Sequence, residues 1–285
     1  MCLALVGWQC HPDFPLVLVS NRDEFYARKT RPAAWWGQSV SLLGGQDEEA
    51  GGTWLGINRR GRLALLTNVR APSERNPHAP SRGLLVLSAL QSAGAPRAWL
   101  DECLQGAQAH NGFNLLLADA LPSPRDGRDA ALYYASNRGE TAARGPRRLE
   151  PGIYGLSNAA LDTPWPKVTR SVAALACALA GPLRPESLLA LMADRALAPD
   201  PELPETGVPL EWERVLSAIQ IRANGYGTRA TTVILVRRDG TVSFLERTFV
   251  PDDPGSHQDR NFEFVIDGTG HRPALAGYPG GGQSR

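Results

Sequence analysis

Lysine is nearly missing from this chain: of its 30 basic residues only Lys29 and Lys167 are lysines. Schiff-base chemistry, which arginine cannot perform, is thereby confined to two positions. Neither lysine follows a glycine, which excludes the GxxxxGK[ST] phosphate loop. Cysteine is sparse as well, with Cys2, Cys10, Cys103 and Cys177 and no CxxC pair. In 285 residues that argues against a disulfide framework or a zinc knuckle, and for a reducing compartment with no metal site. Neither sign of charge is in excess: 30 basic against 29 acidic side chains leave +1, so nothing favours nucleic acid as a partner. Long apolar runs are lacking too. The longest near-apolar stretch, 172–180, is too short for a bilayer, and the apolar start lacks the basic region of a signal peptide. The expectation is a cytoplasmic protein with no integral membrane association, acting on or carrying a small molecule.

What is present reads as a globular chain, 42% hydrophobic and 21% charged. Short apolar runs at 3–8 and 15–20 flank a His-Pro-Asp turn, which is hairpin spacing. A second pair, 53–58 and 62–68, surrounds Arg59-Arg60-Gly61. Between the pairs, the Gly-rich acidic stretch 44–52 reads as a loop or strand-edge excursion. Ser81 is placed to cap a helix over 84–92, and Pro96 to start another through 104. Strands are expected at 113–118, 132–136 and 153–157. A helix over 166–179 puts Val168, Val172, Leu175 and Leu179 on one face. Leu188, Leu189 and Met192 suggest a further helix, 212–219 another, and the chain closes with strands at 231–236, 242–247 and 262–266. This order predicts an α+β fold in which antiparallel sheets are covered by helices in layers, not a regular βαβ alternation. One domain over 1–267 and a flexible tail over 268–285 are expected.

Most familiar catalytic patterns are absent, GxSxG, HExxH and CxxCH among them, and the histidines His11, His78, His110, His257 and His271 are scattered. Residues 225–230 match the loose G-x-G-x-x-A pattern, but they open a β-branched run where a dinucleotide site would open a helix. Cys2 stands out by position. Methionine is normally removed before so small a second residue, which leaves a thiol beside a free α-amine of pKa ~8, a nucleophile next to a base. The competing reading is a small apolar residue starting a strand. Ser20-Asn21-Arg22-Asp23-Glu24 ends the second strand of the expected hairpin, and strand alternation puts Asn21 and Asp23 on one face, Arg22 and Glu24 on the other. Arg22 would favour the thiolate, and a carboxylate would hold the ammonium form of the amine. Asn68 and Asn158, each ending an apolar run, are candidate oxyanion donors or ordinary turn residues.

Taken in order, Met1-Cys2-Leu3, Ser20-Asn21-Arg22-Asp23-Glu24, Ala50-Gly51-Gly52-Thr53-Trp54-Leu55-Gly56, Thr67-Asn68-Val69-Arg70, Asn111-Gly112-Phe113-Asn114, Gly155-Leu156-Ser157-Asn158 and Thr163-Pro164-Trp165-Pro166-Lys167 resemble the NRDE family, the transport-and-Golgi-organisation proteins. The resemblance runs from residue 1 to about 250. It implies a four-layer αββα sandwich similar to the N-terminal-nucleophile hydrolases, and, more distantly, a likeness to choloylglycine hydrolases and penicillin acylases. It further implies Cys2 as nucleophile with Arg22 and Asp23 beside it, Asn158 and Asn68 as oxyanion donors, and Arg229 as a late active-site arginine. Two functions follow as expectations. One is an N-terminal cysteine amidohydrolase or acyl-transfer enzyme needing no cofactor. The other is a non-catalytic binder or trafficking protein for haem or an acylated lipid, with Trp35, Trp36 and Trp54 lining its pocket.

Overall fold

Alternation along the first hairpin decides how the chain is layered. In β1 (Cys2–Trp8) and β2 (Leu16–Phe25), Ala4, Val6, Leu16 and Leu18 point to one side, and Leu3, Leu5, Val17 and Val19 to the other. All eight are buried, so this sheet has to be covered on both faces. The computed structural model, which describes residues 2–36, 41–121, 129–250, 253 and 255–267, contains both covers.

The first sheet has the order β10 (Gly152–Leu156), β1, β2, β12 (Tyr226–Val236), β13 (Thr241–Phe249), β14 (His257–Val265), with the short β11 (Arg222–Ala223) against β12. The second is a meander of β3 (Thr30–Trp36), β4 (Leu42–Asp47), β5 (Leu55–Asn58), β6 (Arg62–Asn68), β7 (Phe113–Asp119), β8 (Ala131–Ser136) and β9 (Arg147–Arg148). Every pairing is antiparallel. Ala4, Val6, Leu18 and Ile234 of the first sheet meet Ile57, Leu65 and Leu116 of the second in an inter-sheet core. On the outer face of the first sheet, Leu5 and Val19 pack on Val168 and Leu175 of α4 (Pro166–Leu179) and on Leu188 of α5 (Pro185–Leu191). On the outer face of the second, Leu66 and Leu115 pack on Val86 and Leu90 of α1 (Gly83–Gln91) and Leu100 of α2 (Pro96–Gln105). Helix, sheet, sheet, helix: the four-layer αββα sandwich is present. Two further short helices, α3 (Gly139–Arg144) and α6 (Leu210–Leu216), lie in the connections.

Proline sets several helix starts: Pro96, Pro166 and Pro185 occupy first positions, where the missing N–H has no partner to lose. Ser81 does not cap α1, whose N-cap position is Arg82 and which lacks a side-chain cap. The stretch expected to loop at 44–52 is strand as far as Asp47. Its glycines serve close approach: a Cβ on Gly44 would lie 2.5 Å from the Leu55 carbonyl oxygen, and one on Gly45 would lie 2.3 Å from the Trp54 ring. The tail expected at 268–285 lies outside the described residues. Among the described residues no helix is long and apolar enough to cross a membrane.

Candidate active site

The β1–β2 register sets Cys2 directly opposite Arg22. Cys2 has the parity of Ala4 and Val6, Arg22 that of Leu16 and Leu18, so both belong to the face turned toward the second sheet. There, a cavity of about 330 Å³ opens between the sheets, lined by Cys2, Arg22 and Asp23 from one side and by Trp54, Asn68 and Arg82 from the other. The Arg22 guanidinium lies over the Trp54 ring, 4.2 Å from its centroid. That stacking covers one polar face of a cation that is only 5% exposed.

Asp23 occupies the opposite face of β2 and still contributes to the lining of the cavity beside Cys2. Its carboxylate is 1% exposed and accepts a hydrogen bond of 2.6 Å from the Thr228 hydroxyl. Thr228 in turn accepts from the Ile221 N–H at 2.9 Å. Burial raises the pKa of Cys2, with the Asp23 carboxylate adding to the rise and Arg22 opposing it. Cys2 keeps part of its surface open to the cavity, and its burial favours the neutral thiol over the thiolate. Burial also raises the pKa of Asp23, against Lys167, Thr228 and Arg22.

Of the two asparagines, Asn68 lines the cavity, and its side-chain amide takes no hydrogen bond among the described residues. Asn158 is buried behind it. Its Nδ2 donates to the Asn68 carbonyl at 2.9 Å, its own carbonyl accepts from the Arg70 N–H, and the neighbouring Ser157 hydroxyl donates to the Cys2 carbonyl at 3.1 Å. Asn158 thus holds the chain that carries Asn68. Arg229 does not reach the cavity. It is the extra residue where the β2–β12 register shifts, and its Nη1 donates to the carbonyls of Phe25, Tyr26 and Arg28. A β-bulge turns that side chain away from Cys2 and spends it on the turn after β2. Asn21 is a clamp: its amide donates to the Met192 and Ile219 carbonyls and accepts from the Thr231 hydroxyl.

Two site residues escape sequence reading. Lys167 is 1% exposed, donates from Nζ to the Leu216 carbonyl, and interacts electrostatically with Asp23 and Cys2. Its signal was available, since a lysine in the first turn of a helix opposes the helix dipole. Arg82 is brought to the cavity by a long-range approach: a Cβ on Gly52 would lie 2.5 Å from the Gly83 main chain, and the Thr53 N–H donates to the Gly83 carbonyl. No local pattern announces it. Of the tryptophans expected to line a pocket, only Trp54 does so among the described residues. Trp35 packs edge-on against Phe264, and Trp36 donates to the Gly44 carbonyl.

The family model for Transport and Golgi organisation 2 matches residues 1–251. This chain belongs to that family. The Transport and Golgi organization protein 2 homolog of Bos taurus is 39% identical over 284 residues, covering 93% of this chain and 99% of the bovine one. That of Homo sapiens is 37% identical over 282 residues, with the same coverage of each. Among solved structures, a C2A mutant of conjugated bile acid hydrolase from Clostridium perfringens is similar over 92% of both chains, at 8% identity and a TM-score of 0.49. At that level the layered architecture rests on this family member's own sheets and cores, and no residue role is taken from the hydrolase.

Proposed function

We propose that the protein is an N-terminal cysteine amidohydrolase or acyl-transfer enzyme acting on a small amide or thioester. The observation that carries this reading is the convergence of Cys2, Arg22, Asp23 and Asn68 on one cavity. Removal of Met1 gives Cys2 the free amine that its neutral thiol requires as a base. The sulfur attacks the substrate carbonyl, and the thiol proton passes to that amine. Arg22 stabilises the developing charge on sulfur, while the Asn68 amide receives the oxyanion. As the bond to the leaving nitrogen or sulfur breaks, the ammonium returns its proton to the leaving group. Water or another acceptor then takes the acyl group from sulfur. The four free cysteines support a reducing, cytoplasmic setting.

Intact-mass analysis of the purified protein is expected to give a mass short of Met1. Phenyl thioacetate is expected to acetylate Cys2, and Cys2→Ala to abolish that adduct. Retained Met1, or equal acetylation of the variant, defeats the mechanism. The competing carrier reading has one haem-ligating side chain among the described lining residues, Cys2, with neither histidine nor methionine. Haem titration is accordingly expected to show no saturable Soret shift; a stoichiometric one that survives Cys2→Ala would favour the carrier.

A further inference from the structure

The cavity lining sets three arginines, Arg22, Arg28 and Arg82, against three carboxylates, Asp23, Glu24 and Asp47, and they are not paired one to one. Arg28 is committed, donating from Nε and Nη2 to Asp47 at 2.9 and 2.7 Å, with Glu49 and Glu24 at 3.3 and 4.0 Å. The lining carboxylates are occupied as well: Asp47 and Glu24 by Arg28, Asp23 by Thr228 with Lys167 behind it. Two arginines remain: Arg22, which the acylation reading sets beside the sulfur, and Arg82, which it does not use. Arg22 Nη1 is shut off from solvent and has no hydrogen-bond partner. The carboxylate that approaches it from β13, Glu246, accepts instead from the Ala33 N–H at 2.6 Å and the Thr232 hydroxyl at 3.4 Å. Arg82 Nη1 donates to a carbonyl, that of Gly112, at 2.8 Å, and Arg82 makes no ion pair within 4.0 Å among the described residues, although Glu24 and Cys2 act on it electrostatically. Leaving a buried, charged donor unmatched is costly, and an anionic oxygen is the partner that best relieves it.

We propose that the cavity recognises an anionic group, a carboxylate or a phosphate, carried by the acyl substrate, with Arg82 as the residue that selects for it. This rests on the acylation reading in one respect only, that the molecule carrying the anion is an acyl substrate of Cys2. A guanidinium fits either group with two parallel N–H bonds.

Iodoacetate and iodoacetamide test this without turnover. They are close in size, differ by one negative charge, and alkylate the same thiol. The full-length protein is treated with each at equal ionic strength, and adducts are located by peptide mass. Exposed Cys10 and Cys177 supply the reference ratio in the same molecule. The iodoacetate-to-iodoacetamide ratio at Cys2 is expected to exceed theirs by about tenfold, the value of one charge-assisted hydrogen bond. Arg82→Gln is expected to lower the ratio severalfold toward the reference, with Arg22 keeping a residue of it, and Arg82→Lys to keep more of the preference, with melting curves verifying that both variants fold. Equal ratios at the three cysteines, an unchanged ratio in Arg82→Gln, or a Cys2 that neither reagent modifies overturns the proposal. Acetate and inorganic phosphate, tested as protectants against iodoacetamide, separate the two sources: the effective anion names the group, and protection by neither overturns the proposal too. Charge preference without phenyl thioacetate acylation would remove the reaction and keep the anion site, so the two failures are told apart.

Discussion

An amide at a strand end either holds a loop or receives charge, and under the proposed mechanism the two asparagines at Cys2 divide these tasks. Asn158 is committed to the Asn68 carbonyl, and Asn68 keeps its own amide for the cavity. Loss of an oxyanion donor typically costs about 10²–10³ in rate. Asn68→Ala should therefore slow Cys2 acetylation by phenyl thioacetate by about that factor and barely move the melting temperature. Asn158→Ala leaves the Asn68 carbonyl without its buried donor, so it should lower unfolding stability by about 1–3 kcal/mol. Acetylation time courses with urea titrations of both variants check this. A rate loss confined to Asn158→Ala would give the oxyanion role to Asn158 instead.

At the scale of elements, α4 does more than cover the first sheet. Its first turn inserts Lys167 into the protein beside Asp23, and burial lowers the lysine pKa to about 8, against the pull of Asp23. Below that pH both the folded and unfolded chains hold the proton, and the fold bears the cost of a buried ammonium. Between about 8 and the ordinary lysine value near 10.4 the unfolded chain binds more protons, so this residue makes stability rise with pH. Urea unfolding at pH 8 and pH 10, in a Cys2→Ala background that removes the thiol titration, should show the wild-type lysine gaining on Lys167→Met by about 1–3 kcal/mol. A constant difference between the two would mean that Lys167 is not held in a desolvated site. Elements of this kind differ in how far the sequence announces them. The β1–β2 hairpin and α4 were legible because apolar period and turn residues agree over their whole length. β4 was not, because Gly44 and Gly45 look like turn residues and instead admit the Leu55 main chain and the Trp54 ring. At the site, Cys2, Arg22, Asp23 and Asn68 were legible by position on strands. The departure of Arg229 depends on a bulge, and the arrival of Arg82 on the Gly52–Gly83 approach, both set by partners distant in sequence.

Over the whole molecule, the cavity belongs to neither sheet alone. Cys2, Arg22 and Asp23 come from the first sheet, and Leu66 and Asn68 from the second, so the inter-sheet core fixes the distance between Cys2 and Asn68, the proposed nucleophile and oxyanion donor. The outer helix layers support each sheet separately. Stability and site geometry should then part company according to which layer is loosened. Leu65 is buried in the inter-sheet core, and Leu100 between α2 and the outer face of the second sheet. Either truncation, Leu65→Ala or Leu100→Ala, should cost about 2–5 kcal/mol of unfolding stability. A shift of the sheets by a fraction of an ångström is enough to misplace reacting groups. Leu65→Ala should thus slow acetylation of Cys2 by about tenfold or more at a temperature where it remains folded. Leu100→Ala, at matched stability loss, should react at close to the wild-type rate. Equal slowing in both variants would mean that the site follows global stability and not the registration of one sheet on the other.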